Sequence, residues 1–160
     1  MPSSLKMAGT QKTPPSAAVE QVDTRYLQTL LGYNARRAAL SIIGVFLERL
    51  AVYGLKPVDF SVMSVIHHNP GVTSRQLCAS LSILPPNLVG LIQSLESRGL
   101  IERKPHPTDG RALGLHPTAK GVSLMQQAEV TASELEIDAS SKLTASQRQT
   151  LLQLLQKIYL

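Results

Sequence analysis

Residues 86–121, PNLVGLIQSLESRGLIERKPHPTDGRALGLHPTAKG, contain the pattern that decides the fold. Apolar residues recur in the first half at the i, i+3, i+4 and i+7 spacing of a helix with one buried face: Leu88, Leu91, Ile92 and Leu95. Gly99 is placed to end this helix. Two short strands are predicted next, at about 100–104 and 112–116, and Asp109-Gly110 supplies the turn between them. The stretch therefore predicts a helix followed by a β-hairpin.

The segment upstream of this stretch predicts two further helices. Pro57 suits the first turn of a helix that runs to about His68, and its predicted inward residues are Val58, Val62, Val65 and Ile66. Thr73 and Gln76 have the spacing of a capping box, which starts a short helix ending near Ser82. The succession of helix, short helix, tight turn, polar-faced helix and hairpin predicts a winged helix-turn-helix DNA-binding lobe within residues 56–118.

Long helices are predicted on both sides of this lobe. Residues 24–53 read as one helix whose apolar side chains cover much of its circumference, which favours burial between two subunits. Thr118 is placed to cap a helix over about 119–140, and Thr144 with Gln147 starts a last helix with an apolar face. We expect a mainly α fold of six helices with a small β-hairpin wing. Residues 23–55 and 119–160 are expected to form a dimer interface, and residues 1–22 a disordered arm.

Composition limits the possible partners and compartment. The formal net charge of +5 and the sequence pI of about 9.6 permit an anionic partner such as nucleic acid. No apolar run approaches the roughly 20 residues that span a bilayer. The single cysteine, Cys78, fits a reducing compartment and is predicted to be a small buried hydrophobe. A cytoplasmic protein without a membrane segment is therefore expected.

Patterns of catalysis and metal binding are missing from the sequence. There is no Gly-x-Ser-x-Gly elbow, no phosphate-binding glycine loop and no plausible acid pair, so an enzyme is not expected. His67 and His68 have no cysteine or carboxylate beside them at ligand spacing. Neither a metal site nor a cofactor is therefore expected.

The stretch 86–121 resembles the MarR (multiple antibiotic resistance regulator) family of bacterial winged-helix transcription factors. The resemblance rests on a recognition helix ending Leu-Glu-x-x-Gly-Leu-Ile, a following Arg, Asp-x-Arg in the wing and then Thr-x-x-Gly. It implies that Asp109 orients Arg111, which enters the minor groove, and that the first residues of the recognition helix contact bases. It also implies a dimer built by the first, fifth and sixth helices. Many members carry Arg where this chain has Gly90 and Gly110, which implies fewer phosphate contacts here.

Candidate DNA-binding residues combine this resemblance with side-chain chemistry. Asn87 and Gln93 suit adenine edges, and Arg75 could reach a phosphate from the bracing helix. Arg103 has two interpretations, a phosphate contact or a surface charge. Gly90 also has two, a close approach to DNA or helix packing. The predicted set is Arg75, Pro86, Asn87, Leu88, Val89, Gly90, Gln93, Arg103, Asp109 and Arg111.

The expected function is that of a homodimeric, sequence-specific transcriptional regulator, a repressor bound to an inverted repeat in double-stranded DNA. The resemblance suggests release by a small aromatic acid or phenolic ligand, bound between the first and fifth helices and the DNA-binding lobe. The candidate lining residues are Tyr33, Arg36, Arg37, Tyr53 and His67. Two alternatives stay open: a winged helix used for protein interaction, and a regulator without an effector.

Overall fold

The computed structural model describes residues 22–105 and 113–160 and confirms the predicted fold class. Within those ranges lie seven α-helices and a three-stranded antiparallel sheet. The elements are α1 Arg25–Gln28, α2 Leu31–Arg49, α3 Pro57–His68, β1 Val72–Thr73, α4 Ser74–Leu81, α5 Pro85–Ser97, β2 Ile101–Pro105, β3 Leu113–Pro117, α6 Ala119–Ala139 and α7 Ala145–Tyr159, with a 3₁₀ turn Ala51–Tyr53 after α2. The predicted disordered arm, apart from Val22, lies outside the described residues.

The prediction of one continuous first helix is wrong, and this accounts for a seventh helix. Thr29 Oγ1 donates to the Tyr26 carbonyl at 2.7 Å, and Asn34 Nδ2 donates to the carbonyls of Gln28 and Leu30 at 2.8 Å each. These side chains compete with the backbone hydrogen bonds that would continue the helix. Leu30 is consequently extended, with φ −93° and ψ 127°, and α2 begins after it.

Helix α3 begins and ends where its sequence predicts, and it contributes the centre of the core. Its buried residues are Val62, Met63 and Ile66. Val58 was predicted to face inward, but its side chain is 38% exposed. The buried stripe is centred between Val62 and Met63, so Val58 lies at its margin in the first helical turn.

The sheet contains a strand that the sequence did not predict. β2 and β3 form the expected hairpin, with Arg103 opposite Leu115. β1 pairs with the other edge of β3, with Val72 opposite Leu115, so β3 is central. Two residues are too few to show the alternation that identifies a strand in sequence. β1 therefore attaches the wing to the start of α4.

A tight junction joins the wing to helix α6. Thr118 Oγ1 donates to the Gly99 carbonyl at 2.7 Å and accepts from the backbone N–H of Gly121 at 3.1 Å. A Cβ added at Gly121 would lie only 2.0 Å from the Leu100 carbonyl oxygen. Glycine is therefore required at position 121, because any side chain would push α6 away from the end of α5.

The terminal helices present apolar side chains that the described chain does not cover. Helix α7 has no buried residue in the described ranges, although its capping box of Thr144 and Gln147 forms as predicted. The large apolar side chains exposed on α2 and α7 include Leu31, Leu40, Leu47, Leu151, Leu152, Leu154 and Ile158. Among the described helices none is long and apolar enough by itself to cross a membrane. Helices α4 and α5 meet the length and composition of a span only as a pair, and this pair is bent by 116°.

Candidate DNA-binding surface and ligand cavity

Helix α5 has one buried face and one exposed face. Leu88, Ile92 and Leu95 are each at most 2% exposed and attach the helix to the core. The opposite face is exposed and carries five of the predicted DNA-binding residues: Pro86, Asn87, Val89, Gly90 and Gln93. The prediction that Leu88 contacts bases is wrong, because a side chain held in the core cannot reach a groove.

Helix α4 places its first turn beside the start of α5. Thr73 Oγ1 accepts from the backbone N–H of Gln76 at 3.3 Å, and the Thr73 N–H donates to Gln76 Oε1 at 2.9 Å. This predicted capping box directs the exposed Arg75 outward. Arg75 borders a groove of about 300 Å³ together with Pro85 and Val89. The bracing and recognition helices thus present a cation and small side chains on one surface.

Gly90 lies in the middle of the exposed face of α5. A Cβ built there would meet no atom within 4 Å in the part of the chain that the structure describes. The interpretation that Gly90 permits close helix packing is therefore wrong. Close approach of an external molecule to the backbone is the interpretation that stays.

Arg103 is held by a carboxylate at the far end of α5. Its Nε and Nη2 atoms donate to Glu96 Oε1 and Oε2 at 2.7 and 2.9 Å, a bidentate pair. The Glu96 carboxylate raises the pKa of the Arg103 guanidinium above its usual value. Arg103 thus ties β2 to the recognition helix, while 39% of its side chain stays exposed; its phosphate contact stays a prediction. Asp109 and Arg111, the predicted wing-tip pair, lie outside the described residues.

A cavity of about 560 Å³ lies between α2, α3 and α6. Phe46 and Phe60 meet edge to face in its wall, with ring centroids 5.5 Å apart. The polar part of the wall consists of hydroxyl groups, two carboxylates and the His68 imidazole, and no Arg or Lys is among the described residues that line it. The lining residues are Ile42, Ile43, Phe46, Pro57, Phe60, Ser61, Ser64, His68, Glu129, Ala132, Ser133 and Glu136.

The five residues predicted to line a ligand cleft do not belong to this wall. Arg36 and Arg37 are exposed on α2, and Tyr33 is half-buried. The Tyr53 hydroxyl lies 3.0 Å from Thr131 Oγ1, and His67 adjoins the cavity residue His68. The cleft has the predicted helices as its walls, but other side chains from those helices line it.

Two helical spacings could have identified the cavity residues. Ser61, Ser64 and His68 follow one another at i, i+3 and i+7 on α3, and Glu129, Ser133 and Glu136 have the spacing i, i+4 and i+7 on α6. Glu129 joins the two helices, because its Oε1 accepts from Ser64 Oγ at 3.0 Å and lies 2.9 Å from His68 Nε2. A polar stripe on a core helix is the signal that sequence reasoning missed.

Comparison with known proteins identifies relatives of the whole architecture. A family model described as MarR family matches residues 53–112. A putative transcriptional regulatory protein for the hcr operon of Thauera aromatica is 30% identical over 81% of this chain and 78% of its own length. The transcriptional repressor CouR bound to a 23-mer DNA duplex is 34% identical, with a TM-score of 0.80 over 87% of this chain and 99% of that one. CouR from Rhodococcus jostii RHA1 bound to p-coumaroyl-CoA is 25% identical, with a TM-score of 0.75 over 82% and 93%.

Proposed function

Because the chain belongs to the MarR family of DNA-binding transcriptional regulators, we propose that it is a homodimeric repressor released from DNA by a phenolic ligand. It is not an enzyme. One observation carries the proposal. The exposed face of α5 has small and polar side chains and lies beside Arg75, while the opposite face of the same helix is buried in the core. A cytoplasmic location is part of the proposal, since the DNA is there.

In the proposed complex, α5 enters the major groove of an inverted repeat. Asn87 and Gln93 read adenine edges, and Pro86 and Val89 contact thymine methyl groups. Gly90 lets the helix backbone approach closely, and Arg75 contacts a phosphate from α4. The wing tip, with Asp109 orienting Arg111, reaches the adjacent minor groove. The DNA-bound CouR structure, similar over most of the chain, supports this arrangement.

The proposed dimer forms through the terminal helices, with residues 23–55 and 119–160 as the dimerisation segments and 56–118 as the DNA-binding lobe. Contiguous apolar surface of this kind on a small protein indicates an interface. A second copy would bury the exposed leucines of α2 and α7, which include Leu47, Leu151 and Leu154. Two-fold symmetry then places two copies of α5 about one helical turn apart on DNA.

The cavity supports a neutral phenolic group as the ligand in preference to a free aromatic acid. Glu129 and Glu136 line it, the described lining contains no Arg or Lys, and the His68 imidazole already faces Glu129, so a carboxylate would meet repulsion from two carboxylates. A phenol hydroxyl can donate to either glutamate while its ring packs on Phe46 and Phe60. CouR bound to p-coumaroyl-CoA supports a phenolic ligand whose acid group is masked as a thioester.

Linkage provides the release mechanism. The cavity is bounded by α2 and α6, which belong to the proposed dimer region, and by α3, which belongs to the DNA-binding lobe. A ligand that favours one spacing of the two lobes lowers DNA affinity, and DNA lowers ligand affinity by the same factor. The coupling requires no contact between the ligand and the DNA.

Fluorescence anisotropy with the promoter region beside the gene tests the proposal at two salt concentrations. We expect tighter binding to this duplex than to a scrambled one, a loss of affinity in Arg111→Ala, and release by p-coumaroyl-CoA at concentrations where p-coumarate has no effect. Equal affinity for both duplexes would favour the protein-interaction alternative. If neither compound changes DNA affinity or melting temperature, regulation without an effector is favoured instead.

A further inference from the structure

Three metal-ligating side chains converge at the edge of the cavity. His67 and His68 end α3, Glu129 comes from the middle of α6, and one ligand atom of each lies within 4.8 Å of those of the other two. Glu129 is separated from His68 by 61 positions in the chain. The sequence places no carboxylate beside the histidines at ligand spacing, and the packing of α6 on α3 supplies one.

The distances suit a single small ion. His68 Nε2 lies 2.9 Å from Glu129 Oε1, and the two imidazole rings have centroids 5.0 Å apart at an angle of 68°. Ligand atoms about 2.1 Å from a tetrahedral zinc ion are about 3.4 Å apart. The His68–Glu129 separation is shorter than that value, and all three ligand atoms lie within 4.8 Å of one another, so side-chain rotations would complete the geometry.

The histidine nitrogens are available for coordination. His67 Nδ1 is buried and has no hydrogen-bond partner among the described residues. Coordination at that atom would break no existing hydrogen bond and would remove the penalty of an unpaired buried polar group. The side chain of His68 is 61% exposed, which gives an ion a path from solvent.

We propose that His67, His68 and Glu129 form a binding site for one divalent transition-metal ion, with Zn²⁺ as the ion that best fits the donor set. Two imidazoles and one carboxylate are a recurrent zinc set, whereas Mg²⁺ and Ca²⁺ prefer oxygen ligands alone. Three protein ligands leave a fourth position. Because His68 and Glu129 also line the cavity, water or the phenol oxygen of a bound molecule can occupy that position.

The ion would connect α3 of the DNA-binding lobe to α6 of the proposed dimer region. It replaces the direct hydrogen bond between His68 and Glu129 with a metal-bridged cross-link between the same two helices. Metal binding itself does not depend on the proposed function, since it can be measured without DNA or an organic ligand.

Direct titration of the tag-free, full-length protein tests the site after chelator treatment and removal of the chelator. Zn²⁺ is added in competition with a chromophoric chelator, and Co²⁺ is added while the visible spectrum is recorded. We expect one ion per chain, a tetrahedral Co²⁺ spectrum, and a loss of Zn²⁺ affinity of at least tenfold in both His68→Gln and Glu129→Gln. Zn²⁺ should also raise the melting temperature of the unsubstituted protein but of neither variant.

Matched controls separate this site from adventitious binding. His116→Gln removes a histidine of β3, and Glu134→Gln removes a carboxylate of α6, and both should bind Zn²⁺ as the unsubstituted protein does. Circular dichroism checks that all four variants are folded. Equal affinity in the four variants, or no stoichiometric binding by the unsubstituted protein, would overturn the proposal. A regulator that binds specific DNA yet fails this titration would lose the metal site alone.

Discussion

Helices α3 and α5 are nearly equal in length, and each buries one apolar stripe, but their opposite faces meet different surroundings. The outer face of α5 meets solvent and is presented by one element, so its chemistry can be read from a short stretch of sequence. The outer face of α3 meets α6, and Ser64 and His68 acquire a role only beside Glu129. A surface for an external partner is local in sequence, whereas a cavity is assembled from distant segments.

Substitutions on the two faces of α5 should have different consequences: those on the buried face should change stability, and those on the exposed face should change DNA binding. This is the largest expected effect. Leu95→Ala should lower the free energy of unfolding by about 2–5 kcal/mol, because it leaves a cavity in the core. Gln93→Ala should change it by less than about 0.5 kcal/mol but weaken specific DNA binding by about 1–3 kcal/mol. Urea denaturation and anisotropy measure the two quantities. If Gln93→Ala left the DNA affinity intact, the readout assigned to this face would be wrong.

The acidic wall of the α3 cavity should respond to removal of one charge. Glu136→Gln should strengthen the binding of p-coumarate by about 1 kcal/mol, because it removes a repulsion between carboxylates. Binding of p-coumaroyl-CoA should change less. Isothermal titration calorimetry of both compounds gives the ratio of their two affinities, with Glu134→Gln as the control outside the wall. If Glu136→Gln left this affinity ratio unchanged, the wall would not select against the free acid.

Gly90 tests whether the exposed face of α5 is closely approached from outside. Gly90→Ala should stabilise the protein by about 0.5–1 kcal/mol, because alanine favours the helix and its Cβ meets no described atom. If the backbone approaches DNA, the same variant should bind more weakly. Thermal denaturation and anisotropy together give the answer, and a gain in both stability and affinity would contradict the close approach.

Substitutions of the two arginines near α5 should change the salt dependence of DNA affinity differently, which is the smallest expected effect. Arg75→Ala should reduce the slope of log affinity against log salt by about 1, since one phosphate contact is lost. Arg103→Ala should leave that slope unchanged and cost at most about 1 kcal/mol of stability, as its partner is Glu96 at a partly exposed site. Equal changes in slope would restore Arg103 as a phosphate contact.

Sequence patterns leave open the contacts between side chains of separate elements. Arg103 has two interpretations in the sequence, a phosphate contact or a surface charge, and its pairing with Glu96 appears only where β2 returns past α5. The five predicted cleft residues come from α2, the 3₁₀ turn after it and α3, but rotation of α2 and α3 about their axes decides which side chains enter the cavity. Leu88 was assigned to both the core and the DNA surface, and only burial separates these roles.

The sequence by itself determined helices α3 to α7, the two predicted capping boxes, the pairing of β2 with β3 and the outward face of α5. These features depend on helical period, on side chains that cap the backbone within three or four residues, and on turn residues, all of which are short-range effects. The tertiary structure alone decided the acidic cavity, the pairing of Arg103 with Glu96, the packing of Gly121 on Leu100 and the meeting of His67, His68 and Glu129. Each of these requires the approach of segments far apart in the chain, which the packing of the whole core determines.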